Sequence, residues 1–202
     1  MESPQSWTAG GGAAEGFVLA ADEGGAYWWL GSLSINKVTK QASKGGLSII
    51  DHRVPAGYTP PPHIHHAVDE TFFILEGQFS VMCGDQSWQA GPGSLVFLPR
   101  DVPHGFSVSK HGPGRTLLIL APGGFDEFVR DSSEPAPRLG LPGPDEPMPD
   151  PARLATLAAA HGITNVRQCR LAGPERLETR QAVPAERCAP VPSATYRAAV
   201  RA

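Results

Sequence analysis

The stretch Gly57-Tyr58-Thr59-Pro60-Pro61-Pro62-His63-Ile64-His65-His66-Ala67-Val68-Asp69-Glu70-Thr71-Phe72-Phe73-Ile74-Leu75-Glu76-Gly77 carries most of what this chain reveals about itself. His63 and His65 are two apart, so on an extended strand both rings leave the same face. Their backbones lie roughly 6.5–7 Å apart there, close enough to share one ion. Glu70 is at an odd separation from His65, which would put it on the opposite face of an unbroken strand. The chain must therefore turn or bulge through His66 to Asp69 before Glu70 returns to the site. From there Glu70, Phe72 and Ile74 are expected to face inward and Thr71, Phe73 and Leu75 outward. His66 is then expected to point away from the pair, in a supporting or surface position.

Downstream lies Gly93-Ser94-Leu95-Val96-Phe97-Leu98-Pro99-Arg100-Asp101-Val102-Pro103-His104-Gly105-Phe106-Ser107-Val108. The two stretches together resemble the paired motifs of the cupin superfamily. The first fits at every defined position: the framing glycines Gly57 and Gly77, His63, His65 and Glu70. The second departs twice, with Asp101 where the family has glycine and Val108 where it has asparagine. Neither position is a metal ligand in the family, so the departures touch the turn and leave the site. The resemblance implies an all-β fold, a cupin double-stranded β-helix or jelly-roll barrel, with short C-terminal helices. It also implies one divalent transition-metal ion on His63, His65, Glu70 and His104. His104 follows the Pro99 to Pro103 turn and opens its own strand, with Phe106 and Val108 on the same inward face. Imidazoles with one carboxylate suit Fe, Mn, Ni, Co or Cu, and the mixed donor set does not choose among them.

The remainder of the chain is consistent with that fold. Gly 23 and Pro 21 in 202 residues punctuate short apolar stretches, as in an antiparallel barrel or sandwich. Strands are expected at Ala26–Leu33, Ile35–Thr39, Leu47–Val54, Glu70–Leu75, Gln78–Cys83, Gln86–Ala90, Leu95–Leu98, His104–Val108 and Arg115–Leu120. Phe125, Phe128 and Val129 share one helical face. A second helix is marked by Asp150 as N-cap, Pro151 at its first position, a face of Leu154, Leu157, Ala158 and His161, and Gly162 as C-cap. It is expected to cover a mouth or edge of the barrel. The expected organisation is a flexible arm over 1–16, a barrel over 17–125, a helical cap over 126–170 and a low-complexity tail over 171–202.

Formal net charge is -3 and the pI is about 6.1, which gives no cationic field for nucleic acid or anionic lipid. A small organic substrate is the expected partner. Cys83, Cys169 and Cys188 form no CxxC pair and read as reduced thiols. The first sixteen residues lack a basic start and apolar run, so a cytoplasmic protein without a membrane segment is expected. A homodimer formed through a barrel edge, supplied by strands before Val54, is a further expectation.

Tyr58, Phe72, Ile74, Met82, Phe106 and the run Tyr27-Trp28-Trp29 are candidates to line an apolar substrate pocket, and aromatic residues of a barrel also serve as plain core. His52, Arg53 and His111 read as surface or strand-edge groups. Four further runs are similar to single-cupin proteins of the quercetin 2,3-dioxygenase type: Tyr27 to Gly31, Pro61 to Glu70, Phe97 to His104 and Pro122 to Phe128. That similarity spans residues 26–165 and implies a dioxygenase acting on a flavonol-like or enolic substrate with dioxygen, with Glu70 as both ligand and general base. Two rival readings stand beside it. One is a tailoring cupin that uses the metal as a Lewis acid for cyclisation, isomerisation or dehydration. The other is a small-molecule-binding module without catalysis.

Overall fold

A computed structural model describes residues 16–166. The arm expected over 1–16 falls outside them except for Gly16, as do Cys169, Cys188 and the whole of the expected tail. The described chain runs through β1 (Gly25–Trp29), β2 (Ser32–Val38), β3 (Ser48–Val54), β4 (His63–His65), β5 (Asp69–Glu76), β6 (Phe79–Cys83), β7 (Gln86–Ala90), β8 (Leu95–Leu98), β9 (His104–Val108) and β10 (Gly114–Ala121). Then follow α1 (Phe125–Asp131), β11 (Glu134–Pro135), α2 (Pro151–Ala160) and β12 (Ile163–Asn165). A seven-stranded sheet is ordered β11-β1-β2-β3-β10-β5-β8, and a five-stranded sheet β12-β4-β9-β6-β7. Every pairing is antiparallel. This is a jelly roll with its core between the two sheets.

Alternation along β5 sets the inward face. Glu70, Phe72 and Ile74 are buried, while Phe73 and Glu76 are exposed. Residues such as Ile50, Phe79, Leu98 and Leu120 fill the core at 0% exposure. Placed there by the period-two pattern, such side chains each contribute roughly 1.5–3 kcal/mol through burial.

Three local features correct or sharpen the sequence reading. Ala26–Leu33 is not one strand, because Leu30 (φ 53°) and Gly31 (φ 81°) form a two-residue turn between the paired Trp29 and Ser32. Left-handed backbone at both positions is the primed turn that suits a hairpin. Leu30, unusual there, is held by burial. Secondly, of the turn or bulge expected through His66 to Asp69, the chain makes the turn. β4 and β5 belong to different sheets, and the bend at His66 and Ala67 carries the chain across the barrel. Thirdly, the outer edge of β1 is covered by β11, through Tyr27 with Pro135 and Trp28 with Glu134. The strands before Val54 therefore offer no bare edge at that position. β8, which ends the larger sheet, carries exposed Leu95 and Phe97.

Two motif positions acquire a physical reason. Asp101 adopts φ 62°, the left-handed conformation that the family's glycine takes easily and aspartate tolerates. Gly77 has φ 86°, and a Cβ there would lie 2.4 Å from the Pro113 carbonyl oxygen and 2.9 Å from Gly114 Cα. Backbone cannot yield as a side-chain tip can. Gly77→Ala is therefore expected to cost about 2 kcal/mol or more, read as a lowered urea midpoint with an unchanged slope.

The second helix begins as its sequence demands. Asp150 accepts from the backbone N–H groups of Ala152 and Arg153 at 3.0 and 2.9 Å, and Pro151 takes the first helical position. Its C-cap is His161 rather than Gly162; Gly162 follows at φ 68° and releases the chain into β12. Ile163–Asn165 then pairs with His65–His63, which fastens α2 beside the histidine strand.

Candidate metal centre and cavity

β4 is short and carries both His63 and His65, whose ring centroids lie 4.8 Å apart. Next to it, β9 places His104 in register with His63. Glu70 comes from β5 on the opposite sheet. Four side chains from three strands and both sheets therefore meet at one point. One ligand atom from each lies within 4.8 Å of the others, so the group could hold a metal ion.

The atoms that face inward can be named. His63 Nδ1 donates to the Pro61 carbonyl at 3.2 Å and His104 Nδ1 to the Val102 carbonyl at 2.8 Å. A ring that donates from Nδ1 keeps its lone pair on Nε2 when neutral. His104 Nε2 lies 3.4 Å and His65 Nε2 3.7 Å from Glu70 Oε2, and His63 Nε2 lies 3.2 Å from His65 Nε2. Glu70 Oε2 and His104 Nε2 are buried without a hydrogen-bond partner. Such atoms are costly unless something satisfies them. Inward lone pairs beside an unpartnered carboxylate oxygen form the donor set that a divalent transition-metal cation fits.

Protonation favours the same conclusion. Burial, reinforced by the neighbouring imidazoles, pushes His63 down to about 3, and burial lowers His65 as well. Both rings are thus neutral at physiological pH, the form a metal requires. Burial alone would raise Glu70, but His104, His65 and His63 around it outweigh that and hold it below the usual carboxylate range. Glu70 stays ionised.

A cavity of about 640 Å³, counting its mouth, opens onto this cluster. It is lined by His63, His65 and Glu70, by the barrel residues Trp29, Leu30, His52, Tyr58, Phe106 and Leu118, and by Pro60 and Pro61. Phe125 and Phe128 of α1, Leu154 and Ala158 of α2, and Ile163 and Asn165 of β12 complete the wall. Of the pocket residues expected from sequence, Tyr58 and Phe106 line it. Phe72 stands behind Phe106 in edge contact at 5.3 Å, and Ile74 is plain core at 0% exposure. Met82 does not line it. On β6 Phe79, Val81 and Cys83 are the buried set, so strand alternation turns Met82 to the other face. Within the early aromatic run, Trp29 lines the cavity and Tyr27 and Trp28 do not.

His66 lies outside the cluster. It is exposed, with Nδ1 2.8 Å from Asp101 Oδ1 and Nε2 3.1 Å from Thr164 Oγ1, and so ties the second-motif turn to β12. Arg53 reaches Asp51 and Asp22, and His111 is exposed. His52 corrects the surface reading: it is 1% exposed and belongs to the cavity wall. The signal was present, since Ser48, Ile50, His52 and Val54 share one face of β3 and two of the four are large apolar groups. The apolar faces of α1 and α2 were readable as helix faces, but that Phe125, Phe128, Leu154 and Ala158 line this cavity depends on where the helices dock, and β12 carried no signal of its own.

Burial lowers His52 from 6.5 to about 4, against the opposing charges of Glu70 and Asp51. The unfolded chain therefore binds a proton that the native chain refuses. The corresponding stability is fully present above pH 6.5 and is lost as pH falls toward 4, by up to about 3 kcal/mol. Thermal melting between pH 7 and pH 4.5 is expected to show a smaller drop in His52→Gln than in the wild type.

Residues 51–120 match the cupin domain family, a span that includes all four clustered residues. The chain carries a cupin domain. This cupin is 26% identical over 119 residues to quercetin 2,3-dioxygenase of Bacillus subtilis, across 59% of this chain and 35% of that protein. It is 32% identical over 57 residues to an uncharacterized protein of Streptomyces coelicolor, across 28% of this chain and 53% of that one. The chain thus spans about a third and about half of the lengths of these two relatives. Solved structures similar to it include KdgF from Halomonas, with TM-score 0.43 and 18% identity over 48% of this chain and 84% of that one. A Bacillus subtilis oxalate decarboxylase variant has TM-score 0.47 and 21% identity, over 57% and 33% of the two chains. Among the described residues no helix is long and apolar enough to cross a membrane.

Proposed function

We propose that this cupin is a metal-dependent oxygenase acting on a flavonol-like or enolic small molecule. The observation that carries the reading is the junction of two features: an aromatic cavity, and a three-histidine, one-carboxylate cluster at its wall whose Glu70 Oε2 and His104 Nε2 have no partner. The partial similarity to quercetin 2,3-dioxygenase supports the same substrate class.

His63, His65, Glu70 and His104 would hold the ion. When bound, it would supply Lewis acidity toward an enolic oxygen and the redox flexibility that dioxygen chemistry needs. The protein's own parts can be assigned tasks. The Pro61 and Val102 carbonyls fix two of the imidazoles, so the donor atoms are oriented before any ligand arrives. Trp29, Phe106, Phe125 and Phe128 offer apolar surface for a planar substrate and keep water away from it. Glu70, ionised and buried, accepts the proton of the substrate hydroxyl on its carboxylate.

Oxygen uptake with a panel of flavonols and other enolic compounds, repeated with protein loaded with iron, manganese, nickel, cobalt or copper, tests the reading. Uptake in step with substrate loss is the expected result. Turnover that proceeds equally well without oxygen would replace the oxygenase with a Lewis-acid tailoring enzyme, and tight binding without product would make the cavity a binding module.

A further inference from the structure

His52 and Tyr58 are the titratable cavity residues that the proposed chemistry does not use, and His52 is the one whose ring nitrogens bear on recognition. Its position is well defined. The ring packs edge-on against Trp29 at 5.7 Å and Tyr58 at 6.1 Å. Trp29 in turn meets Phe125 at 5.6 Å, and Phe125 meets His65 at 5.4 Å, so a chain of aromatic contacts runs from His52 to the metal cluster. His52 comes from β3 and the cluster from β4, β5 and β9, so the cavity wall presents them from different strands.

Hydrogen-bond counting fixes the tautomer of the ring. Nδ1 lies 3.0 Å from Ser34 Oγ, on the paired position of β2. Ser34 is 0% exposed, and that ring nitrogen is the only hydrogen-bond partner of its hydroxyl among the described residues. If His52 Nδ1 carried the proton, the Ser34 hydroxyl hydrogen would be buried with no acceptor. The satisfied arrangement has Ser34 donating to Nδ1, which leaves the proton of the neutral ring on Nε2. Nε2 has no protein partner among the described residues. A hydrogen-bond donor thus belongs to a cavity residue packed between the rings of Trp29 and Tyr58. Burial keeps the ring neutral, so the donor is an N–H of an uncharged imidazole.

We propose that His52 Nε2–H is a substrate-recognition donor, set in its tautomer by Ser34, that selects planar enolic substrates bearing a second acceptor oxygen remote from the one at the metal cluster. The assignment rests on the proposed enolic substrate class. Ser34 acts through His52 and is a positioning residue. An apolar wall discriminates weakly between ligands of similar shape, whereas a buried donor left unpaired penalises those that lack the matching oxygen.

The test is equilibrium binding to metal-loaded wild type, His52→Leu and His52→Gln, with metal content measured for each. Quercetin, which carries additional hydroxyls, is compared with 3-hydroxyflavone, which lacks them. Quercetin is expected to bind His52→Leu about tenfold more weakly and His52→Gln, which restores an N–H, within about threefold of wild type. Binding of 3-hydroxyflavone is expected to hold or tighten in His52→Leu, where no donor is left unpaired, and to change less than twofold in His52→Gln. Undiminished quercetin binding in His52→Leu, equal losses in both variants, or an equal loss for 3-hydroxyflavone would overturn the assignment while leaving the enolic substrate class standing. Nitrogen-15 NMR of the His52 ring provides a readout independent of any substrate, with Nε2–H expected in the wild type and the preference lost in Ser34→Ala. If the wild type binds neither probe, the proposed function falls and the spectrum alone judges His52: Nε2–H supports the donor, and Nδ1–H overturns it.

Discussion

Glu70→Gln is expected to abolish turnover while leaving the fold intact. Glutamine keeps the shape and one oxygen, so β5 loses no packing. It removes the negative charge at the meeting point of His63, His65 and His104, and it removes the proton acceptor. Loss of a positioned general base alone lowers turnover roughly 10²–10⁴-fold. Loss of the charge also weakens cation binding, so the assay needs excess metal to separate the two effects. With the site saturated, a fall in kcat of that size and an unchanged melting temperature of the metal-free protein support the double role. A variant that keeps wild-type kcat when loaded would leave Glu70 as a ligand only.

His104→Ala has the second large expected effect, and it acts on the metal. His104 is fully buried, its Nδ1 is engaged by the Val102 carbonyl, and its Nε2 has no other partner than the cluster. Removing one of four donors is expected to weaken metal binding by more than about 100-fold, beyond what the loss of a supporting hydrogen bond costs. Elemental analysis of dialysed protein should find about one ion per chain in the wild type and almost none in the variant. His66→Ala is the matched control. His66 sits only one residue from His65 but bonds to Asp101 and Thr164, so its loss should leave metal content unchanged.

The contrast between these two histidines shows how much of the site could be read without a structure. Spacing puts His63 and His65 on one face and His66 on the other, because strand periodicity is local and strict. The break before Glu70 was also readable, but its form was not. A parity argument signals that the chain must deviate, and it cannot distinguish a bulge from a crossing between sheets. The hairpin at Leu30 and Gly31 was missed for a related reason: a buried leucine in left-handed backbone is held by tertiary contacts that no local propensity encodes. Met82 failed on register, since one residue's shift along β6 exchanges the cavity face for the outer face. His52 failed through composition, as a polar residue assigned to the surface although its β3 neighbours on the same face are core.

The distal wall of the cavity lay further out of reach. Leu154 and Ala158 announce an amphipathic helix with a well-formed start at Asp150, and β12 pairs with the histidine strand only after the helix has returned across the barrel. Nothing in Ile163-Thr164-Asn165 by itself points to His63 and His65 as its partners. The consequence is functional, because Ile163 and Asn165 reach the cavity from the same short strand that flanks the metal cluster.

X-ray absorption spectroscopy of the metal-loaded wild-type chain tests the central claim most directly. The account predicts one ion per chain whose nearest neighbours are nitrogen and oxygen, with the outer-shell scattering of three imidazoles, reduced to two in undialysed His104→Ala at a protein and metal concentration high enough to fill its weakened site. An ion surrounded by oxygen alone, a sulfur neighbour, or a spectrum identical in wild type and His104→Ala would contradict it.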